Sequence, residues 1–353
     1  MTMARRPQTG SYPQGLIIRF RDSRLSCRIS RRTLAIGFTL LLLCIAIGVA
    51  SLAAGTYPLS VADVARALLG HGEAMVLMIV TEWRLPRVAL ALLLGGALGM
   101  SGAIFQSLTR NPLGSPDIIG FTAGSHSGAL VVILVFSGGY YQTAAGALAG
   151  GILTAFIVYL LAWRRGAEGF RLIIVGIGIS AMLGAFNAWM IRKADLQVAM
   201  SAVTWSAGSL NGLGTEQLLP VTVILCLIVP SALLLSRPMR QLEMGDDMAR
   251  ATGVPADRVR LCLMALGVAL TATATASAGP VAFIALAAPQ IARRLTRSAG
   301  VTLIPAALTG SLLLLCADWI AQHAFATQLP VGIMTVSIGG FYFLWLIVRE
   351  GRR

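Results

Sequence analysis

Lysine is almost absent: Lys193 stands alone, and the other 27 of the 28 basic residues are arginines. A phosphate-binding loop of the GxxxxGK[ST] kind needs a lysine after its glycine-rich turn, and no such string occurs. Any ATP hydrolysis tied to this protein therefore belongs to another chain. Histidine is scarce too, with His71, His126 and His323 far from one another. The five cysteines (Cys27, Cys44, Cys226, Cys262, Cys316) are equally dispersed and form no CxxC. Such spacing predicts neither a zinc site nor a disulfide framework, and no resident metal or cofactor. GxSxG and HExxH are missing as well, so no catalytic residue is assigned and the chain is not expected to be an enzyme.

Charge is the next scarcity. Only 12% of the 353 residues are charged, against about 25% in a soluble domain, while 56% are hydrophobic and mean hydropathy is +0.79. These values predict an all-α integral membrane protein in contact with a lipid bilayer. A net charge of +14 would suggest nucleic acid in a soluble chain, but here its distribution decides, and no nucleic-acid partner is expected. Ten apolar segments can be marked: 33–54, 86–107, 117–137, 140–162, 171–191, 216–236, 259–279, 282–292, 301–322 and 331–349. Most are long enough to cross a hydrocarbon core of roughly 30 Å at about 1.5 Å per residue. The eighth is too short, and predicts a half-helix shielded from lipid by protein.

Residues 1–32 hold eight arginines and precede an apolar run too long for a cleaved signal, so they read as a basic cytoplasmic tail before an uncleaved first span. With the N-terminus inside, 23 basic residues fall on the cytoplasmic side and five on the other. That asymmetry obeys the positive-inside rule and predicts both termini in the cytoplasm, including the short end at 350–353. Ionisable groups in the middle of the spans are nearly absent; Asp117, His126 and Asp318 come closest, with Asp117 and Asp318 near span ends, a poor supply for a proton- or sodium-coupled carrier. Gly95 and Gly99, Gly146 and Gly150, and Gly176, Ser180 and Gly184 have the spacing that lets helix backbones approach closely in lipid.

Between two of the spans lies a polar insert, 237–260, in which nine of 24 residues are charged. It reads as a folded cytoplasmic platform, or as a solvated connector. Gly245 followed by Asp246 and Asp247 predicts a helix N-cap in which a carboxylate accepts backbone N–H bonds. Gly253 suits the left-handed residue that ends that helix, and Pro255 predicts the start of a second. Met248, Ala251 and Val254 would then face outward. Two further stretches stand out: 83–87 and, after the span, 105–106 with 110–117, where Asn111 and Leu113 lie where a path could narrow; and 278–294.

Taken together, several strings resemble the permeases of the FecCD/BtuC type, from binding-protein-dependent importers of ferric siderophores, haem and vitamin B12. They are RLPR at 84–87, SGAIFQSLTRNPLGSPDIIG at 101–120, RLIIVGIG at 171–178, MGDDMARATGV at 244–254, AGPVAFIALAAPQIARR at 278–294, AD at 317–318 and LPVGIMTVSIGG at 329–340. The resemblance implies a type II ABC importer permease with about ten transmembrane helices over 33–349, in a bacterial inner membrane. It implies two ATP-hydrolysing subunits, a second and different permease subunit, and a periplasmic siderophore-binding protein as partners. The ligand it implies is a ferric siderophore of the catecholate, enterobactin-like kind, with haem or cobalamin as alternatives within the family. A proton-coupled siderophore transporter is the alternative of another class. By the same resemblance, Gly245, Asp246, Asp247, Arg250 and Gly253 form the ATPase-coupling loop, Asn111 and Leu113 a cytoplasmic gate, and Arg84 a docking point for the binding protein. Where the family usually has Pro-His, this chain has Pro289 and Gln290, which can donate and accept hydrogen bonds but cannot titrate.

Overall fold

A computed structural model describes residues 16–19, 26–117, 120–162, 169–325 and 327–350. Most of the basic tail, Arg164, Arg165 and residues 351–353 lie outside the described residues. A two-stranded antiparallel hairpin comes first, β1 (Leu16–Arg19) with β2 (Ser26–Ile29), and among the described residues every regular element after it is a helix. The helices are α1 (Arg31–Ala53), α2 (Val61–Leu68), α3 (Ala74–Met78), then a π-helical turn over Ile79–Arg84 that runs into α4 (Leu85–Thr109). They continue as α5 (Phe121–Val135), α6 (Tyr140–Ala162), α7 (Gly169–Lys193), α8 (Leu196–Ser206) and α9 (Thr215–Leu234). The last are α10 (Ser236–Glu243), α11 (Asp246–Ala251), α12 (Ala256–Ala278), α13 (Ile284–Thr296), α14 (Leu303–His323) and α15 (Val331–Glu350). Among the described residues, seven helices are long and apolar enough to cross a membrane.

The ten apolar segments of the sequence each coincide with a helix. The short helices α2, α3 and α8 were not anticipated, because they fall in connections with too few apolar residues to signal a span. Their burial is correspondingly slight, with Val64 and Ala67 the buried positions of α2 and Ala202 that of α8. The expected half-helix is α13. Chain reversal before it uses Gly279 (φ 73°) and, less usually, Phe283 (φ 69°), a bulky side chain in the left-handed region. Its Ala285, Ala287, Ala288 and Pro289 are all buried, so protein rather than lipid surrounds this break in the helical backbone.

Helix α4 is the axis of the bundle, packed against α9, α12, α13 and α14. Glycines set the distances. A Cβ on Gly99 would fall 2.3 Å from the Ala306 carbonyl oxygen of α14, one on Gly95 2.5 Å from that of Gly310, and one on Gly102 1.6 Å from that of Ala285 in α13. A second pair, α5 and α6, closes in the same way through Gly124 and Gly128 against Gly146 and Gly150. The third small-residue set departs from expectation: Gly184 faces open space, while Ser180 and Gly176 receive the turn at Gly120.

A graded stability effect follows. Gly102→Ala places its methyl inside backbone and is expected to cost about 1–3 kcal/mol or more from overpacking, whereas Gly184→Ala has only the helix-propensity gain of up to about 1 kcal/mol. Thermal unfolding of both variants in detergent checks this; equal melting temperatures would remove the close approach of α4 and α13.

Candidate functional site

The polar insert folds as two short helices joined at Gly245, whose φ of 120° is open to glycine and strained for other residues. Gly245 is itself the N-cap of α11, and no side chain caps that end. This corrects the expected role of Asp246 and Asp247, which occupy the first turn instead. The carboxylate of Asp246 is taken by arginines: Arg260 Nη2 donates to both oxygens at 2.6 and 2.7 Å, and Arg110 Nη2 donates to Oδ1 at 2.6 Å. Such charge-assisted bonds outcompete a backbone N–H. The C-terminal end of α11 matches expectation. Gly253 is left-handed (φ 83°), its N–H donates to the Arg250 carbonyl at 3.0 Å, and Val254 N–H donates to Ala249 O at 2.9 Å. Pro255 does start a helix, but that helix is the long α12 rather than a second short one. Met248 and Ala251 are exposed, whereas Val254 is half-buried against the core.

Arg110 ties this platform to the rest of the bundle. It ends α4 in a left-handed conformation (φ 50°), and its Nε and Nη2 also donate to the Leu242 carbonyl of α10 at 3.1 and 2.8 Å. One guanidinium thus holds the end of α4, the end of α10 and the start of α11. Arg250 makes looser pairs, 3.5 Å to Asp247 and 3.5 Å to Asp257, in an exposed setting where such pairs add little. Burial on its own would raise the Asp246 carboxyl, but the hydrogen bonds and charges of Arg260 and Arg110 outweigh it and hold the group below its ordinary range.

The turn after Arg110 carries the other predicted residues. Asn111 Oδ1 accepts from Leu113 N–H at 2.9 Å, an Asx turn that leaves the Leu113 side chain exposed. Gln290 of α13 reaches this turn, donating from Nε2 to Gln106 Oε1 at 2.6 Å and to the Pro112 carbonyl at 3.2 Å. Gln106, buried in α4, donates onward to the Leu286 carbonyl at 3.0 Å. A cavity of about 170 Å³ lies alongside, lined by Gln106, Asn111, Glu243, Gln290, Arg293 and Gly300 among others. The 111–113 turn, the half-helix and the platform therefore form one connected unit.

Arg84 lies at the far end of α4, roughly 37 Å away for a helix of 25 residues. Its guanidinium donates to the carbonyls of Leu52 (2.7 Å), Ala53 (3.3 Å) and Tyr57 (2.7 Å), satisfying the open C-terminal end of α1. One turn on, Arg87 forms a two-pronged pair with Asp318 of α14, Nε to Oδ2 at 3.0 Å and Nη2 to Oδ1 at 2.8 Å. Asp318 is 1% exposed and also accepts from Gln322 Nε2 at 2.6 Å. Sequence reasoning missed the partners Arg87, Arg110 and Arg260. Arg87 and Arg110 lie in the quoted strings and Arg260 closes the 237–260 insert, but pairings across 231, 136 and 14 residues have no local signature.

Comparison with known proteins agrees with this geometry. A sequence model described as the FecCD transport family matches residues 41–349. The ferric enterobactin transport system permease protein FepG of Escherichia coli K12 is 52% identical over 326 residues, covering 92% of this chain and 99% of the relative. The achromobactin transport system permease protein CbrC of Dickeya dadantii is 37% identical, covering 95% and 97%. Among solved structures, an inward-facing conformation of a transporter assigned to the metal-chelate ABC type superposes with a TM-score of 0.79 at 28% identity, covering 90% of this chain and 99% of that one.

Two outcomes are expected at the platform and turn. Asp246→Asn leaves Arg260, with its side chain only 10% exposed, with the longer 3.9 Å pair to Asp257 as its counter-charge, and costs about 1–2 kcal/mol in local stability. Because the folded pKa lies below the unfolded value of about 3.9, the wild-type contribution is complete above that pH and disappears as pH falls through the folded value. The protection factors of the 246–254 amides, which correct for the intrinsic pH dependence of exchange, check both: unchanged from pH 8 to 5, falling below about 4, and lower in the variant from pH 8 to 5. Gln290→His keeps a donor for Gln106 or Pro112 and should preserve the thermal stability that Gln290→Leu lowers by about 1–2 kcal/mol.

Proposed function

The chain belongs to the FecCD transport family, and we propose that it is the membrane-spanning permease of an ATP-driven importer for a ferric catecholate siderophore of the enterobactin kind. The observation that carries the ligand is the 52% identity to a ferric enterobactin permease over 99% of that protein's length. The reading assigns ten transmembrane helices of the type II importer architecture: the seven long apolar ones together with α5, α13 and α15. It places the protein in a bacterial inner membrane with the 1–32 tail, the 237–260 platform and residues 350–353 in the cytoplasm. The distribution of arginine supports that orientation.

Two ATPase subunits would dock on the platform, a second permease subunit would complete the path, and a periplasmic binding protein would deliver the ligand. Gly245 and Gly253 shape the coupling helix, Arg250 and Asp247 lie on its exposed side, and Asp246 locks it to α4 and α12 through Arg110 and Arg260. Met244 and Met248, 62% and 54% exposed, offer adaptable apolar contacts to a groove on the ATPase. The direct bond from Arg110 to Asp246 then gives ATPase motion a short route to Asn111 and Leu113 as the gate. Arg84 as a docking point rests on the family motif. Its donors already serve three carbonyls, so an incoming carboxylate would add to, or compete with, that cap.

Uptake of radio-iron by cells with and without this chain tests the ligand. Loss of the ferric catecholate signal alone, with hydroxamate and haem uptake intact, is expected; three unchanged signals would overturn the assignment. Met248→Asp tests coupling separately, because the Met248 side chain is 54% exposed and its backbone bond to Thr252 does not depend on it. Uptake should fall at least about tenfold, the equivalent of 1.4 kcal/mol in coupling, with the amount of protein in the membrane unchanged; normal uptake would reject the platform as the coupling element.

A further inference from the structure

The cavity of about 170 Å³ lies between the end of the platform helix α10 and the half-helix α13. Two opposite charges line it without meeting. Glu243, at the end of α10, has its Oε1 closed off from solvent and accepting no hydrogen bond among the described residues. Arg293 lies three residues on from Gln290, and so on the same face of α13. It is exposed and pairs with no carboxylate among those residues. Ser107 Oγ of α4 lines the same gap, 3% exposed and likewise unpartnered. Gly300 leaves the carboxylate its room, because a Cβ there would fall 2.5 Å from Glu243 Oε2.

Buried polar groups are ordinarily satisfied, and a carboxylate oxygen without a donor is costly to hold. Two such groups, on two different elements around one gap, mark an arrangement that closure would satisfy. Arginine suits the acceptor, because its planar fork is weakly hydrated and meets a carboxylate with several donors. Arg110 also lines the cavity, but its Nε and Nη2 are committed to Leu242 and Asp246. Arg293 is the guanidinium at this gap that is still to be paired.

We propose that Glu243 and Arg293 are a coupling pair, which joins as an ion pair when the cavity closes and fastens the platform directly to the half-helix. The pair belongs to one of the two arrangements that alternating access requires, a role that rests on the platform's coupling function proposed above. Motion of the platform would then reach Gln290, and through it the Pro112 carbonyl, from the α13 side. That route runs beside the one through Arg110 and Asp246.

Charge exchange in cells carrying the whole transporter tests the pair. Glu243→Arg and Arg293→Glu alone are each expected to lower ferric catecholate uptake at least about tenfold. The double exchange should bring it back to within about threefold of wild type, at equal amounts of protein in the membrane. Single exchanges without effect, or losses that multiply in the double variant, would overturn the pairing. Glu243→Cys/Arg293→Cys avoids the reversed charges. In membranes holding the transporter, a short bis-thiol reagent should link the two cysteines at least about threefold more in one nucleotide state than in the other, comparing ATP with vanadate against no nucleotide. Equal linking in both states would overturn the closure. Normal uptake in Met248→Asp rejects the platform's coupling function instead, so the two failures are read on different variants.

Discussion

Backbone contact along α4 is the constraint on which the other features depend. In lipid there is no hydrophobic force to press one helix on another, so association comes from close packing and from polar groups that find partners. The glycines at 95, 99 and 102 supply the first by letting α14 and α13 reach α4 at carbonyl distance. Once that approach is fixed, α13 can remain a half-helix with non-helical backbone before it, because the surrounding helices exclude lipid. A side chain at Gly102 would push the half-helix outward and with it the Gln106–Gln290 link to the turn at Asn111.

Polar partners close both ends of the same helix, and they differ in character. At one end the Arg87–Asp318 pair is nearly dry, a rigid fastening whose loss would strand a carboxylate that is 1% exposed. At the other end Asp246 sits between two arginines with 30% of its side chain in solvent. A partly hydrated pair is weaker and easier to rearrange. The helix is thus fixed where α14 crosses it and adjustable where the platform meets it. Under the proposed coupling role of the platform, such an arrangement would let that end respond to a push while the opposite end keeps its register.

Legibility in the sequence followed the physical range of each feature. Apolar length marked every long helix, and even the short α13, because a span is a local property of consecutive residues. Gly253 was legible for the same reason: a left-handed stop is written in one residue and its neighbours. Asp246 was misread because local rules offered a nearby backbone donor, whereas the fold offered Arg110 and Arg260, brought from a different helix and the start of α12. Arg84 shows the same limit. Its position in RLPR was visible, but the carbonyls of Leu52, Ala53 and Tyr57 that take its protons become neighbours only when α1 stands beside the π-helical turn. Ion pairs across helices have no periodicity, and residue type alone leaves their partners open.

The near-absence of lysine has a counterpart in these pairings. Arg84 serves three carbonyls, Arg87 grips two carboxylate oxygens in a plane, and Arg110 divides its donors between a carbonyl and a carboxylate. Each task needs several donors held in a fixed fork, and a lysine ammonium is a single strongly hydrated point on a flexible stem. At a helix end near lipid, where water is too scarce to satisfy what the side chain misses, a cation that meets several acceptors at once costs less to bring in than one that keeps its hydration shell. The chain meets that requirement with arginine at three positions on one helix axis, where a lysine could not serve the same acceptors.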